Sequence, residues 1–185
     1  MNLNLSKVDS PLGKLLLVTD KEGQIRALDF SDHQARLHRL LRDHYVQYEL
    51  IEVPAQVRIA SALQRYFDGD LVALDGIATA TAGSELQRQV WAALRRIPVG
   101  QTTSYGELAR ELGYDDPRMA IEIGAANGVN PIAIVVPCHR VIAKNGDLKG
   151  YAWGLARKRW LLEHENALPP AQPVINSPVQ RLPGF

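Results

Sequence analysis

The sequence predicts an α+β protein of two unlike units, and three observations carry that prediction. Residues 1–76 alternate short strand-like runs with two amphipathic helical segments. Residues 84–165 have mainly helical patterning, interrupted by one apolar run, Ile132 to Val136. Between them, 77–83 (Ile-Ala-Thr-Ala-Thr-Ala-Gly) is small and weakly patterned, as a linker would be.

Leu3, Leu5 and Val8 open the chain in a strand-like pattern, and Pro11-Leu12-Gly13 reads as a turn. Leu15 to Thr19 is a short apolar strand, Asp20-Lys21-Glu22-Gly23 a hairpin turn, and Ile25 to Phe30 alternates as the next strand. Ser31 and Asp32 can cap a helix with Leu37, Leu40 and Leu41 on one side. Tyr48 to Val53 alternates again. Pro54 then leads into a helix whose Val57, Ala60, Leu63 and Phe67 share a face, ended by Asp68-Gly69-Asp70.

In the second unit Ser84 caps a helix with Leu86, Val90, Ala93 and Leu94 inward, which stops before Pro98. Ser104 caps another through Leu112-Gly113, and Asp116-Pro117 starts a third that runs to about Asn127-Gly128. Two short helices joined by a tight glycine-containing turn have the form of a helix-turn-helix. Ile132 to Val136 is expected as a buried extended segment stopped by Pro137. Gly146, Gly150 and Gly154 punctuate a loop, and a last helix is expected from about Leu155 to Glu165. The tail, 166–185, holds Pro169, Pro170, Pro173, Pro178 and Pro183, which forbid a regular helix there.

Composition narrows the function classes. Hydrophobic residues at 46% and charged residues at 22% place the chain among globular proteins rather than disordered ones. The single cysteine, Cys138, excludes an internal disulfide framework and a cysteine-rich zinc site. No apolar stretch is long enough to span a bilayer, and the N-terminus lacks a basic flank followed by an apolar block, so a cytoplasmic location is the expectation. The net charge of +1 divides into −2 for residues 1–83, +2 for 84–165 and +1 from Arg181. That asymmetry agrees with nucleic-acid binding by the second unit without demanding it.

Cys138 stands in Pro137-Cys138-His139-Arg140, directly after the apolar run. It is either a small buried hydrophobe or a nucleophile. The adjacent imidazole and guanidinium favour the second, because a thiolate needs a base or a positive charge nearby. Glu165 is either a solvated helix-end carboxylate or the group that orients His139. Asn130 before Pro131 is a turn former by type. Ala120, Gly124 and Asn127 or Gly128 form a strip of small residues on the third helix, suited to close approach by a neighbouring helix or a nucleic-acid groove. Arg157, Lys158 and Arg159 have the pattern of a solvated basic face.

Taken together, these motifs resemble the catalytic domain of the O6-alkylguanine-DNA alkyltransferases. The resemblance lies in Gly100 to Gly106 (Gly-Gln-Thr-Thr-Ser-Tyr-Gly), Gly124 to Gly128, Asn130-Pro131-Ile132, Ile134 to Ile142 around Pro-Cys-His-Arg, Gly150-Tyr151-Ala152 and Trp160 to Glu165. Residues 1–75 resemble the N-terminal α/β domain of that family more weakly. The resemblance implies a ribonuclease H-like N-terminal domain (1–76), a linker (77–83), a catalytic domain with a winged or helix-turn-helix DNA-binding motif (84–165), and a tail (166–185) of no assigned role.

It also implies a chemistry. The third helix, through Ala120, Ile121 and Gly124 with Arg118 near its start, enters the minor groove of duplex DNA carrying alkylated bases. The damaged base is flipped out, with Tyr105 helping to rotate it and donating to it. His139 takes the proton of Cys138 through a water, Glu165 holds the other imidazole nitrogen, and Asn130 braces the active-site turn. The thiolate then takes the alkyl group from O6 of guanine, or from O4 of thymine, irreversibly and once per protein. Backbone near Cys138 and Val141 receives the exocyclic amine, Tyr151 and Ala152 wall the pocket, and Lys158 supports the site. No cofactor or metal, no membrane and a monomer in solution are the corresponding expectations.

Three departures stand out. Where the family commonly carries an inserting Arg, the third helix has Ile121, followed by Glu122. Either Arg118 supplies the finger one turn earlier or Ile121 acts as an apolar wedge, and weaker, more salt-sensitive DNA binding follows. There is a short insertion around Tyr114 to Pro117. Trp153 replaces a frequent Gly and is expected to narrow the pocket against bulky benzyl adducts. The alternatives to repair are a helix-turn-helix regulator with a structural cysteine, a Cys-His hydrolase, and a recognition protein without the nucleophile.

Overall fold

The structure is a computed structural model and describes residues 1–168. The proline-bearing part of the tail, with the expectations made for it, lies outside these residues.

Strands β1 (Asn2–Val8), β2 (Leu15–Thr19), β3 (Ile25–Phe30) and β4 (Glu49–Glu52) form one sheet in the order β3-β2-β1-β4. β1 and β2 pair antiparallel, with Val8 opposite Leu15, as do β2 and β3, with Leu15 opposite Phe30. β4 returns parallel to β1 after helix α1 (Gln34–His44), because a parallel neighbour requires a crossover. The unbroken apolar character of β2 has a physical reason: every residue of this inner strand is buried, and both sheet faces are covered. On one face Leu16, Val18 and Ala27 meet Leu37 and Leu41 of α1. On the other, Leu15, Leu17, Leu28 and Phe30 join a larger core with helix α2 (Val57–Phe67) and helix α3 (Glu85–Leu94).

Ser84 and Ser104 both close the expected caps. Each accepts from the backbone N–H three residues on, and Gln87 and Glu107 answer as reciprocal capping boxes of α3 and α4 (Tyr105–Glu111). Helix α5 (Met119–Gly128) follows, its entry fixed by Asp116, whose carboxylate accepts from the Arg118 N–H at 2.9 Å. Trp91 on α3 donates to the Ala126 carbonyl at 2.9 Å and ties α5 to the core. Two-residue strands β5 (Thr103–Ser104) and β6 (Val141–Ile142) pair parallel, and α6 (Leu155–His164) closes the described chain.

One expectation is corrected and one alternative decided. Ile132 to Val136 is buried but not extended. Val136 N–H bonds back to the Ile132 carbonyl at 3.2 Å, and Ile134 sits at φ 66°, where a β-branched side chain is costly. The cause lies outside the run: Asn130 and the edge of β3 hold both ends of this turn. The small-residue strip on α5 is Ala120, Gly124 and Gly128, since Asn127 turns inward and is buried.

The outer edge of β3 is where the two units join. Leu28 N–H donates to the Pro131 carbonyl at 2.9 Å, and Ala133 N–H to the Leu28 carbonyl at 2.8 Å. Ile25 makes the same kind of exchange with Ala78 and Ala80 at 3.0 Å, so residues 78–80 run along the sheet edge rather than free of it. Both segments satisfy backbone groups that an open edge would leave unpaired. They also dock the turn that precedes Cys138 directly on the N-terminal sheet.

Candidate active site

Cys138 begins a single 3-10 turn, Cys138–Arg140, between the strained turn and β6. Its side chain is 2% exposed. Asn130, fully buried, organises everything before it. Its amide nitrogen donates to Val136 O at 2.8 Å and lies 3.2 Å from both Ile132 O and Cys138 Sγ, while its oxygen accepts from Ile132 N–H at 3.0 Å. Burial pushes the Cys138 thiol up from its ordinary pKa, and the Asn130 hydrogen bond and the charges of Arg36 and Lys158 pull against that.

His139 and Glu165 meet deep in the protein. His139 Nε2 lies 2.9 Å from Glu165 Oε1, with both side chains fully buried. The other ring nitrogen, Nδ1, is buried without a hydrogen-bond partner among the described residues. Burial lowers the pKa of the imidazole, against the pull of Glu165, so His139 is neutral near pH 7 with a lone pair to offer. The Glu165 carboxylate is ordered by three side chains. Arg140 reaches Oε2 through Nε at 2.8 Å and Oε1 through Nη2 at 2.9 Å, and the Tyr66 hydroxyl donates to Oε1 at 2.7 Å. Burial works to raise this carboxyl's pKa, but the imidazole and the Arg140 guanidinium hold it well below the usual carboxylate range.

The remaining sequence-derived residues sort by position. Tyr105 opens α4 and packs toward Gly124; burial and the neighbouring Cys138 raise its hydroxyl's pKa, which keeps it a donor. Tyr151 and Ala152 pack against the central core. The Tyr151 ring lies edge-on to His139 at 6.5 Å between centroids. Lys158, fully buried, donates to Val141 O at 2.7 Å, Leu148 O at 2.6 Å and Gly150 O at 3.2 Å, and burial pushes its pKa down to about 8. It thus pins the loop before α6 to β6.

The expected solvated basic face shrinks accordingly. Of the three cations only Arg159 points outward, pairing with Glu163. Arg157 lies over the Phe30 ring at 4.1 Å and bridges to Asp32 at 3.0 Å. Ile121 is 73% exposed on α5, whereas the Arg118 guanidinium is held by Asp116 at 2.7 Å.

Five residues near the cysteine carry roles that the sequence did not disclose. Arg140 turns away from the thiol, to Glu165 and to Ile97 O at 2.6 Å, so the cations that act on the sulfur are Arg36 and Lys158. Arg36 on α1 donates to Asn130 O at 2.8 Å and pairs with the fully buried Asp29 at 3.0 Å. Asp29 in turn accepts from the Trp153 indole, whose ring lies 4.5 Å beneath the Arg36 guanidinium. These contacts place Trp153 in the seam between the units, with Tyr151 at 5.0 Å as its neighbour on the cysteine side. Tyr66 comes from α2. No local signal marks Asp29, Arg36 or Tyr66, since each is ordinary for the strand or helix that bears it.

Chemically, the site can form a thiolate beside an N–H donor, with a neutral, carboxylate-oriented imidazole to take its proton. Among the described residues no group of three or more metal-ligating side chains clusters, and no helix is long and apolar enough to cross a membrane.

Comparison with known proteins agrees along nearly the whole chain. Residues 85–167 match the family model described as the 6-O-methylguanine DNA methyltransferase DNA binding domain, and residues 4–81 the one described as its ribonuclease-like domain. A Salmonella typhimurium protein named methylated-DNA--protein-cysteine methyltransferase is 47% identical over 164 residues, covering 88% of this chain and 95% of its own. Among solved structures, the O6-methylguanine methyltransferase of Mycobacterium tuberculosis aligns with TM-score 0.72 and 36% identity over 92% of this chain and 96% of its own. The same organism's OGT in complex with DNA aligns with TM-score 0.71 and 36% identity, over 89% and 93%.

Proposed function

The chain belongs to the 6-O-methylguanine DNA methyltransferase family, and from that premise we propose that it repairs alkylated duplex DNA by moving the alkyl group onto its own Cys138, once and irreversibly. The observation that carries this is the setting of the sulfur: buried, 3.2 Å from the Asn130 amide nitrogen, and followed directly in the chain by an imidazole whose Nε2 is fixed on Glu165 while its Nδ1 is left without a partner among the described residues.

In this mechanism His139 Nδ1, which makes no direct hydrogen bond to the sulfur, receives the thiol proton through a water while Nε2–H stays on Glu165. The sulfur anion attacks the alkyl carbon of O6-alkylguanine, or of O4-alkylthymine. The S–C bond forms as the C–O bond breaks, and the electron pair leaves on the base, which takes up a proton with Tyr105 as a donor. A thioether is a poor leaving group, so nothing returns the cysteine to its starting state. The target base must leave the helical stack to reach a buried sulfur, at a cost of about a few kcal/mol. Helix α5 offers the face for that step. Ala120 and Gly124 allow close approach to the narrow minor groove, and Ile121, exposed on the same helix, is the apolar wedge, with Arg118 one turn earlier in an exposed pair with Asp116. The Lys158 clamp and the Tyr151-Ala152 segment shape the pocket wall around the flipped base.

The test is intact-mass analysis after mixing the protein with a duplex containing one O6-methylguanine. A gain of one methyl, mapped to Cys138 and absent in Cys138→Ser, is expected. An unmodified protein that still binds the duplex refutes the repair reaction and returns the chain to a DNA-binding role with a structural cysteine.

A further inference from the structure

We propose that Tyr66, carried on α2 of the N-terminal unit, is a positioning residue of the His139–Glu165 pair: its hydroxyl occupies the same carboxylate oxygen that His139 uses and so limits how strongly Glu165 pulls on the imidazole. This rests on the alkyl-transfer mechanism above for its consequence, but not for its measurement.

One carboxylate oxygen offers about two lone-pair sites. Glu165 Oε1 faces three donors: Tyr66 at 2.7 Å, and His139 and the Arg140 Nη2 at 2.9 Å each. Arg140 alone, with its second bond to Oε2 at 2.8 Å, already gives this buried charge a two-pronged partner. Tyr66 is therefore surplus to satisfying the carboxylate and competes directly with the imidazole. Packing does not call for the hydroxyl either. The ring is 1% exposed and lies among the aromatic rings of Phe67 at 5.3 Å and His164 at 5.2 Å, an environment that a phenyl ring would fill equally well.

The position of Tyr66 is itself fixed. His164 Nε2 lies 2.8 Å from the Tyr66 carbonyl, which ties α2 to the end of α6 one residue before Glu165. Burial and the adjacent carboxylate drive the phenol's pKa well above 10, so the group remains a donor throughout the working range of pH.

The charges facing the imidazole come from every side. Glu165 stabilises the imidazolium, while Arg140 and, from α6, Lys158 oppose it. Tyr151 approaches from the loop before α6, His164 lies beyond Tyr66, and Cys138 is adjacent in sequence, itself faced by Arg36 from α1. In this balance a hydrogen bond that draws charge from Oε1 keeps His139 neutral, and able to accept a proton, to lower pH. Removing it returns that charge to the imidazole.

The test titrates His139 directly, by NMR of its labelled ring, in the full chain and in Tyr66→Phe. In parallel, single-turnover methyl transfer from an O6-methylguanine duplex is followed from about pH 5 to 9. The His139 pKa and the acid limb of the rate profile are expected to move up together, by about one unit, in Tyr66→Phe. A second variant guards against a folding defect: 3-fluorotyrosine at position 66, a stronger donor of nearly the same shape, moves both down. A His139 pKa unchanged in both variants overturns the inference, whatever happens to the rate, because a purely structural hydroxyl changes rate or stability without moving that titration. Absence of methyl transfer in the parent protein instead refutes the proposed reaction and leaves the titration result to stand or fall alone.

Discussion

Replacing Asn130 by Ala tests the organisation of the site at its most concentrated point. The side chain gives up two donated bonds, shared among Val136 O, Ile132 O and Cys138 Sγ, and one accepted bond from Ile132 N–H. The two carbonyls keep other partners: Ile132 O receives Val136 N–H at 3.2 Å, and Val136 O receives Cys138 N–H at 2.8 Å. Their losses cost about 1 kcal/mol each. The Ile132 N–H is buried and left unpaired, which costs about 1–3 kcal/mol more. The sum, roughly 3–5 kcal/mol, lowers Tm by about 10 °C for a chain of this size.

The chemistry is affected separately. A hydrogen bond to a charged acceptor is worth about 1.5–3 kcal/mol against about 1 for a neutral one, so the thiolate loses roughly 1 kcal/mol more than the thiol. That raises the thiol pKa by about 0.7 unit and slows transfer by about fivefold at neutral pH. Calorimetric melting and single-turnover transfer from a methylated duplex read the two effects. An Asn130→Ala protein that melts within about 2 °C of the parent and reacts within about threefold of it would show that this amide does not organise the site.

Other perturbations probe the remaining links. Glu165→Gln leaves Arg140 buried without its counter-charge and is expected to cost about 3–5 kcal/mol in urea denaturation near pH 7. Because the native Glu165 pKa lies below its ordinary 4.5, the unfolded chain binds more protons as pH falls. This carboxylate's contribution is therefore complete above about pH 5 and lost below it, and the Gln variant should show a shallower acid slope; an unchanged slope contradicts the assignment. Trp153→Phe removes the indole donor to buried Asp29 and is expected to cost about 1–3 kcal/mol, read in the same assay, with no loss counting against the seam described above. Ile121→Arg is expected to tighten duplex binding and, because an added cation releases a further counterion, to steepen the dependence of log K on log salt by about one unit in a titration at several ionic strengths; this corrects the greater salt sensitivity expected from the sequence for a chain without that arginine. Equal affinity and slope would refute the wedge assignment and the proposed cost of lacking an arginine there.

The residues that make this site recognisable were legible in the sequence because they act through near neighbours. Cys138 and His139 are adjacent, Asn130 lies eight residues before the sulfur it contacts, and Ser84 and Ser104 cap helices through bonds three residues away. Strand limits at Leu15–Thr19 and Ile25–Phe30 followed for the same reason, since alternation and turn residues are local signals. What the sequence left open was the environment. Glu165 and Lys158 have the residue types of a solvated helix, yet both are buried, because α6 packs its polar side onto backbone carbonyls and an arginine. Asp29, Arg36 and Tyr66 lie 99 or more residues before the groups they serve on α6 and its approach, or 94 before Asn130. No periodicity carries a pairing over that distance. The bend in Ile132 to Val136 came from docking on β3, which overrode an apolar pattern that fits an extended strand equally well. Sequence thus determined which atoms could react; long-range packing decided their protonation, because burial and fixed partners set the energy of a charge and neither is encoded by adjacent residues.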